Sequence, residues 1–246
     1  MSRTPEDLLA LPIGGTAVAE NLARAIASGA VRENADGTLE LTGTKSKSSV
    51  WVDVGRGPKL GCEFLKHFVF RQVYAEAAVP HGCQACYKVK AVPRTLRELV
   101  AAWEIAKSIE CRSKWGIDFY NRYSQSVYAG LFYVSGLDAA RVLYKVAREA
   151  FDRDAKLGPD VPLTIKRGCS DYEAMLGPSD RYEFTPEMAE LEAYLKSRFR
   201  GRKAAPHGHL VLAHWIDFAY RMGDDTYLDF TGGKPLHRKA VSYAPE

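Results

Sequence analysis

No stretch of this 246-residue chain approaches the ~18–20 consecutive apolar residues that a membrane helix needs. The opening Met-Ser-Arg-Thr-Pro-Glu-Asp turns acidic within a few residues and lacks the apolar core of a secretory signal. A cytoplasmic protein with no membrane partner is therefore expected. Charge of one sign is also scarce. The net charge is only +4, which permits an anionic partner without arguing for one. There is no Gly-x-Ser-x-Gly, His-Glu-x-x-His, Walker or dinucleotide fingerprint. The Cys-x-x-x-Cys-x-x-Cys spacing associated with radical enzymes that cleave S-adenosylmethionine is missing too. No internal repeat or low-complexity segment is evident.

Cysteine is sparse, five residues in all, yet it carries most of the chemistry. In a reducing compartment these thiols read as ligands or catalysts rather than disulfides. Cys83-Gln84-Ala85-Cys86 is a Cys-x-x-Cys pair just before a strand pattern; Cys62, Cys111 and Cys169 stand alone. A thioredoxin-like redox pair is disfavoured, because that motif follows a strand and opens a helix.

The middle third gives the clearest pattern. Residues 87–92 alternate like a strand and Pro93 stops them. Thr95-Leu96-Arg97-Glu98 is a capping box, and Leu96, Leu99, Val100, Trp103, Ala106 and Ile109 follow helical spacing. Two aromatic-rich strands are expected at 116–120 and 127–134, a second amphipathic helix at 137–151, and a fourth strand at 161–167. The order β-α-β-β-α-β is the ferredoxin-like antiparallel pattern of the α+β class. An N-terminal extension, residues 1–60, reads as a helix at 16–28 and a hairpin around Asn34-Ala35-Asp36-Gly37. Residues 43–49 read as a linker and 63–78 as a helix. The cysteine-bearing core is expected at 61–172. Helices follow in a C-terminal extension, 173–246, one running from the Thr185-Pro186 cap to about Phe199 and one over 209–222.

This topology has a chemical consequence. With strand order 4-1-3-2, Cys83 and Cys86 before strand one and Cys169 after strand four meet at one end of the sheet. Cys111 precedes strand two at the same end but on the far edge, about 10 Å or more away at ~4.8 Å per strand step. Cys62 is then the alternative fourth ligand. The set Cys62, Cys83, Cys86, Cys111 and Cys169 points to an iron–sulfur cluster of the [4Fe–4S] type, used for redox chemistry or substrate activation. Structural zinc is the alternative, although only one knuckle is present. The plain alternative is that these thiols are small buried hydrophobes.

His81, Lys166 and Arg167 are candidates to hold a small anionic substrate beside such a cluster; a redox partner protein is the other partner class. His207, His209 and His214 form a weaker divalent-ion candidate. The runner-up function is a nucleic-acid-binding module with a structural metal. RNA-recognition domains share the topology and stack bases on central-strand aromatics, here Tyr87, Tyr128 and Phe132. The basic runs Lys45/Lys47, Arg198/Arg200/Arg202/Lys203 and His237/Arg238/Lys239 read as solvated ends or as its phosphate contacts.

Overall fold

A computed structural model describes residues 3–43, 50–55, 61–124, 126–157, 159–201 and 210–237. The linker expected at 43–49 falls outside them except for Gly43, as do Lys45, Lys47, Arg202, Lys203, His207, His209, Arg238 and Lys239. The chain is a mixed α+β structure with several antiparallel sheets. In order it forms α1 (Pro5–Leu9), β1 (Pro12–Ile13), β2 (Thr16–Ala17), α2 (Val18–Ala27), β3 (Val31–Glu33), β4 (Leu39–Leu41) and β5 (Trp51–Val54). A π-helix, Glu63–Val73, and a short turn, His81–Cys83, lead to β6 (Cys86–Ala91), α3 (Leu96–Ser108), β7 (Ser113–Ile117), β8 (Tyr128–Ser135), α4 (Leu137–Asp152) and β9 (Leu163–Arg167). Then come α5 (Ser170–Leu176), α6 (Pro186–Arg198), β10 (Phe199–Arg200), α7 (Val211–Arg221) and a 3₁₀ turn, Asp225–Phe230. Among the described residues no helix is long and apolar enough to cross a membrane.

The largest sheet has strand order β5-β7-β8-β6-β9, with every neighbouring pair antiparallel. Strand β6 is bonded on both sides, Val89 lying opposite Phe132 of β8 and opposite Ile165 of β9. Alternation along the strands sorts the two faces. Val89, Ala91, Trp115, Tyr128 and Phe132 turn to one side and form a core with Leu96 and Leu99 of α3 and Leu143 and Ala147 of α4. Trp215 and Phe218 of α7 close that core, and the Trp215 indole donates to the Val50 carbonyl at 2.9 Å. The opposite face carries Cys86, Lys88 and Lys90 from β6, Lys114 from β7, Tyr133 from β8 and Lys166 from β9.

Local chemistry explains the boundaries. Thr95 accepts from the Glu98 amide at 3.2 Å and so starts α3. Glu98 answers one residue earlier than a capping box requires, accepting from the Arg94 amide at 2.7 Å. Asp224 supplies a further acceptor to the first turn, taking the Leu96 amide at 2.6 Å. The second strand begins and ends earlier than expected: Ser113–Ile117 pair with β8, and Phe119 and Tyr120 lie exposed beyond it. Trp115 needs the inward side to meet Phe132 and Phe151, and this sets the register. The helix expected at 63–78 stops at Val73. Ala75 and Glu76 then take positive φ, 47° and 65°, and reverse the chain. Helix α6 ends at Arg198 with Phe199 as its C-cap, in line with the expected end; Phe199 and Arg200 then pair parallel to β4 and add a third strand to the N-terminal hairpin.

A second core combines Leu8, Val18, Leu22, Leu39, Phe64, Phe68, Val73, Met188, Leu191 and Leu195. The hairpin, the π-helix and α6 thus pack together, across the divisions expected at 60–61 and 172–173. A third, small cluster lies beside it and contains Phe70, Val79, Cys83 and Tyr172.

Gly130 sits across the sheet from Trp115, and a Cβ there would land inside the indole ring. Gly130→Ala should therefore lower unfolding free energy by about 2–3 kcal/mol through overpacking, against about 1 kcal/mol for Thr95→Ala through loss of the cap. Urea unfolding measures both. A Gly130→Ala protein as stable as the parent would contradict this sheet register.

Candidate functional site

Four of the five cysteines are delivered to one region by four separate elements. Cys62 caps the π-helix, Cys83 closes the turn 81–83, Cys86 opens β6, and Cys169 caps α5. The sheet register does much of this: Tyr87 lies opposite Arg167, and the Gly168 amide donates to the Cys86 carbonyl at 2.8 Å. Cys83, Cys86 and Cys169 belong to the third cluster with Phe70, Val79 and Tyr172. The Cys62 thiol lies within the electrostatic reach of Cys169 and Cys86, and Cys83 within that of Cys169, Cys86 and Cys62. Cys111 is separate. Its thiol packs on the helix-facing core and contacts the Tyr133 carbonyl at 3.4 Å. It belongs to the helix-facing core, whereas Cys83, Cys86 and Cys169 belong to the third cluster.

Buried polar contacts fix the segments that carry these thiols. Glu192 of α6 is buried and accepts from the His81 amide at 2.5 Å, the Gly82 amide at 2.8 Å and the Tyr74 hydroxyl at 2.8 Å. Burial pushes its carboxyl up, against the pull of those donors. A side chain at Gly82 would press on the Leu65 methyls, which would have to shift. Asp171, also buried, binds Lys66 at 2.9 Å and Arg71 at 3.2 Å, tying α5 to the π-helix. Burial raises the Asp171 carboxyl, but those two cations outweigh it and hold it below the usual carboxylate range.

The electrostatics centre on Lys88. It is 7 % exposed, and its ammonium donates to the Cys169 sulfur at 3.4 Å and lies 5.5 Å from the Tyr133 ring. Burial works against the charge, yet Cys169, Tyr133, Cys86 and Cys62 together overcome it and hold Lys88 above the ordinary lysine value. Burial raises the thiols of Cys62, Cys83 and Cys86. The Tyr172 hydroxyl stands 3.6 Å from Cys83. The Tyr182 hydroxyl, in the same apolar surroundings, has no hydrogen-bond partner and is pushed up to about 12, chiefly by burial. A hollow of about 360 Å³ opens on the same sheet face, between Lys90, Tyr123, Ser124, Lys166 and Ser170.

The residues expected to hold an anion are otherwise engaged. Arg167 donates to the Gln84 carbonyl at 2.8 Å and the Ser179 carbonyl at 3.2 Å, and lies over Phe184. It braces the Cys-x-x-Cys loop. The His81 ring meets Phe184 edge-on, and Lys166 binds Ser170 at 3.0 Å and Glu173 at 3.2 Å. His214 lies on α7, remote in sequence from every cysteine. Lys88, Lys66 and Glu192 were not singled out from the sequence. Lys88 and Lys90 alternate with Val89 and Ala91, and two lysines on one face of a central strand were a readable sign. Glu192 had no such sign.

The aromatic platform is not present. Tyr128 and Phe132 are fully buried against the helices, and the Tyr128 hydroxyl donates to Asp224 at 3.1 Å. The cause is the register that also buries Trp115. Arg198 and Arg200 pair with Glu33 and Asp36 of the hairpin instead of forming a free basic run.

Among the described residues, no three His, Cys, Asp or Glu stand close enough to hold a metal ion. Around the four sulfurs stand an apolar wall, the buried Lys88 ammonium and the unpartnered Tyr182 hydroxyl. Compared with protein-family models, curated proteins and solved structures, the chain matches none.

Two outcomes follow for the bracing groups. Glu192→Ala leaves two backbone amides and a tyrosine hydroxyl without their acceptor and should cost about 3 kcal/mol in urea unfolding. An effect below about 1 kcal/mol, the worth of one ordinary hydrogen bond, would refute the bracing role. For Asp171 the folded pKa is depressed, so its contribution is present above the unfolded value of about 3.9 and lost as pH falls through the folded one. Asp171→Asn should thus be destabilising at neutral pH, and the gap to the parent should narrow in acid. A gap independent of pH would show that the carboxylate charge is not what matters.

Proposed function

We propose that this chain binds an iron–sulfur cluster of the [4Fe–4S] type on Cys62, Cys83, Cys86 and Cys169, and uses it for redox chemistry or to activate a small anionic substrate. The observation that carries the reading is the grouping of four thiols, remote in sequence, against one buried ammonium. Scattered cysteines around a single Cys-x-x-Cys suit a cluster better than zinc, which favours paired knuckles. The reading includes a ferredoxin-like core, β6-α3-β7-β8-α4-β9, extended by β5. The order β9-β6-β8-β7 supports it, being 4-1-3-2 in the numbering of that unit. It also requires a reducing compartment, in keeping with the cytoplasmic expectation.

When bound, the cluster would supply one-electron transfer, or a Lewis-acidic iron if one thiolate is withheld. The chain's own groups have defined parts. Lys88 offsets the negative charge of thiolate ligands. Phe70, Val79 and Leu176 keep water from the Cys83 side. Tyr172 and Tyr182 present hydroxyls that can donate to sulfur, an interaction that tunes cluster potentials. A redox partner protein or a small anion is the expected counterpart.

Protein purified without oxygen should be brown, with iron and acid-labile sulfide in similar amounts. Serine at position 62, 83, 86 or 169 should each reduce that iron, while Cys111→Ser should retain it. Colourless protein with stoichiometric zinc would move the assignment to a structural metal. Protein with neither metal would leave the cysteines as packing groups.

A further inference from the structure

The hollow of about 360 Å³ beside Lys90 and Lys166 lies between two charged walls. Its volume falls in the range of small-molecule sites, roughly 300–1,000 Å³. Lys90 lies opposite Thr164, so Lys166 is its diagonal neighbour on one sheet face, about 7–8 Å away along the backbones. Lys90 gives its three protons to Asp118 at 3.2 Å and to the Ser124 and Ser126 hydroxyls at 2.9 Å each. It thereby fixes the first wall, the loop that brings Tyr123 and Ser124 to the hollow. Helix α5 forms the second wall. There Lys166 gives two protons, to Ser170 at 3.0 Å and to Glu173 at 3.2 Å, which leaves the third for a ligand. Glu173 is half exposed, so its carboxylate keeps lone pairs open to the hollow. Asp118 is buried and does not line the hollow. The lining thus carries two ammoniums and one carboxylate. An anion entering there is opposed by Glu173, and a cation by two lysines. A molecule that carries both signs meets neither opposition.

We propose that this hollow binds a zwitterion of the α-amino acid kind, its carboxylate on Lys166 and its ammonium on Glu173. In an α-amino acid both charged groups stand on one carbon. Its dipole is therefore about as short as the Lys166–Glu173 pair and lies against that pair head to tail. Tyr123 and Ala174 line the remaining surface and take the side chain. None of the cysteines lines the hollow, and binding there requires no iron.

The test begins with thermal unfolding of the full-length chain in the presence of each of the protein amino acids, tried separately. At least one should raise Tm in a saturable way. Calorimetric titration then compares that amino acid with two analogues, the acid that lacks its amine and the amine that lacks its carboxylate. Each analogue should bind about tenfold more weakly, the size of one charge-assisted hydrogen bond. Glu173→Gln should weaken the amino acid about tenfold and leave the acid analogue no weaker than in the parent. Lys166→Gln should weaken the amino acid equally and spare the amine analogue, and Lys166→Arg should restore binding. Should Lys166→Gln fail to fold, Glu173→Gln, which alters a half-exposed helix residue, decides with the two analogues alone. The proposal is overturned if no amino acid raises Tm, or if the acid analogue binds as tightly as the amino acid. Affinities that neither variant changes overturn it as well, since the ligand then sits elsewhere. Iron analysis of the same protein bears on the cluster alone, so either reading can fail without the other.

Discussion

Strand β6 is hydrogen-bonded on both flanks, and this fixes more of the molecule than any other contact. A strand held between β8 and β9 cannot exchange its faces without a one-residue slip of the whole ladder. Val89 and Ala91 are committed to the core with α3 and α4, so Cys86, Lys88 and Lys90 are committed to the other side. Once Lys88 is there, the thiols around it are the main groups available to answer its charge. The chemistry of the site is thus a by-product of the alternation that builds the core.

The site also lies where separate cores meet. The π-helix turns Phe64 and Phe68 to the N-terminal core, and Cys62 stands at its start. Helix α6 does the same in another way, burying Leu191 and Leu195 on one side and lending Glu192 to the turn 81–83. Each thiol is therefore set by an element whose own stability comes from elsewhere. Such a division lets the thiol segments be short and irregular, while longer elements nearby hold them in place.

Much of the central segment was legible because its signals are local. Thr95 with Glu98, the apolar spacing through α3 and α4, and Pro93 after β6 each act within a few residues. The strand at 113–117 was misplaced because Lys114-Trp115-Gly116 lacks regular alternation, and only the fit of Trp115 against Gly130 reveals its register. The convergence of Cys83, Cys86 and Cys169 could be reasoned from strand order alone. The choice between Cys62 and Cys111 could not, since it depends on which side of the sheet a loop thiol enters. No local pattern announces that the His81 ring rests on Phe184, or that Arg167 binds the Gln84 and Ser179 carbonyls.

The hydrogen bonds from the turn 81–83 to Glu192 span 111 and 110 positions of the chain. Contacts of that separation form late, because a long loop must close before they are rewarded. Every cysteine is thus translated before the acceptor that organises Cys83 is made. During that interval the thiols belong to an unfinished, flexible chain, exposed to any stray metal or oxidant. Helix α6 must dock before the turn that carries Cys83 acquires its braced shape. The arrival of that helix is the step that closes the Cys83 turn.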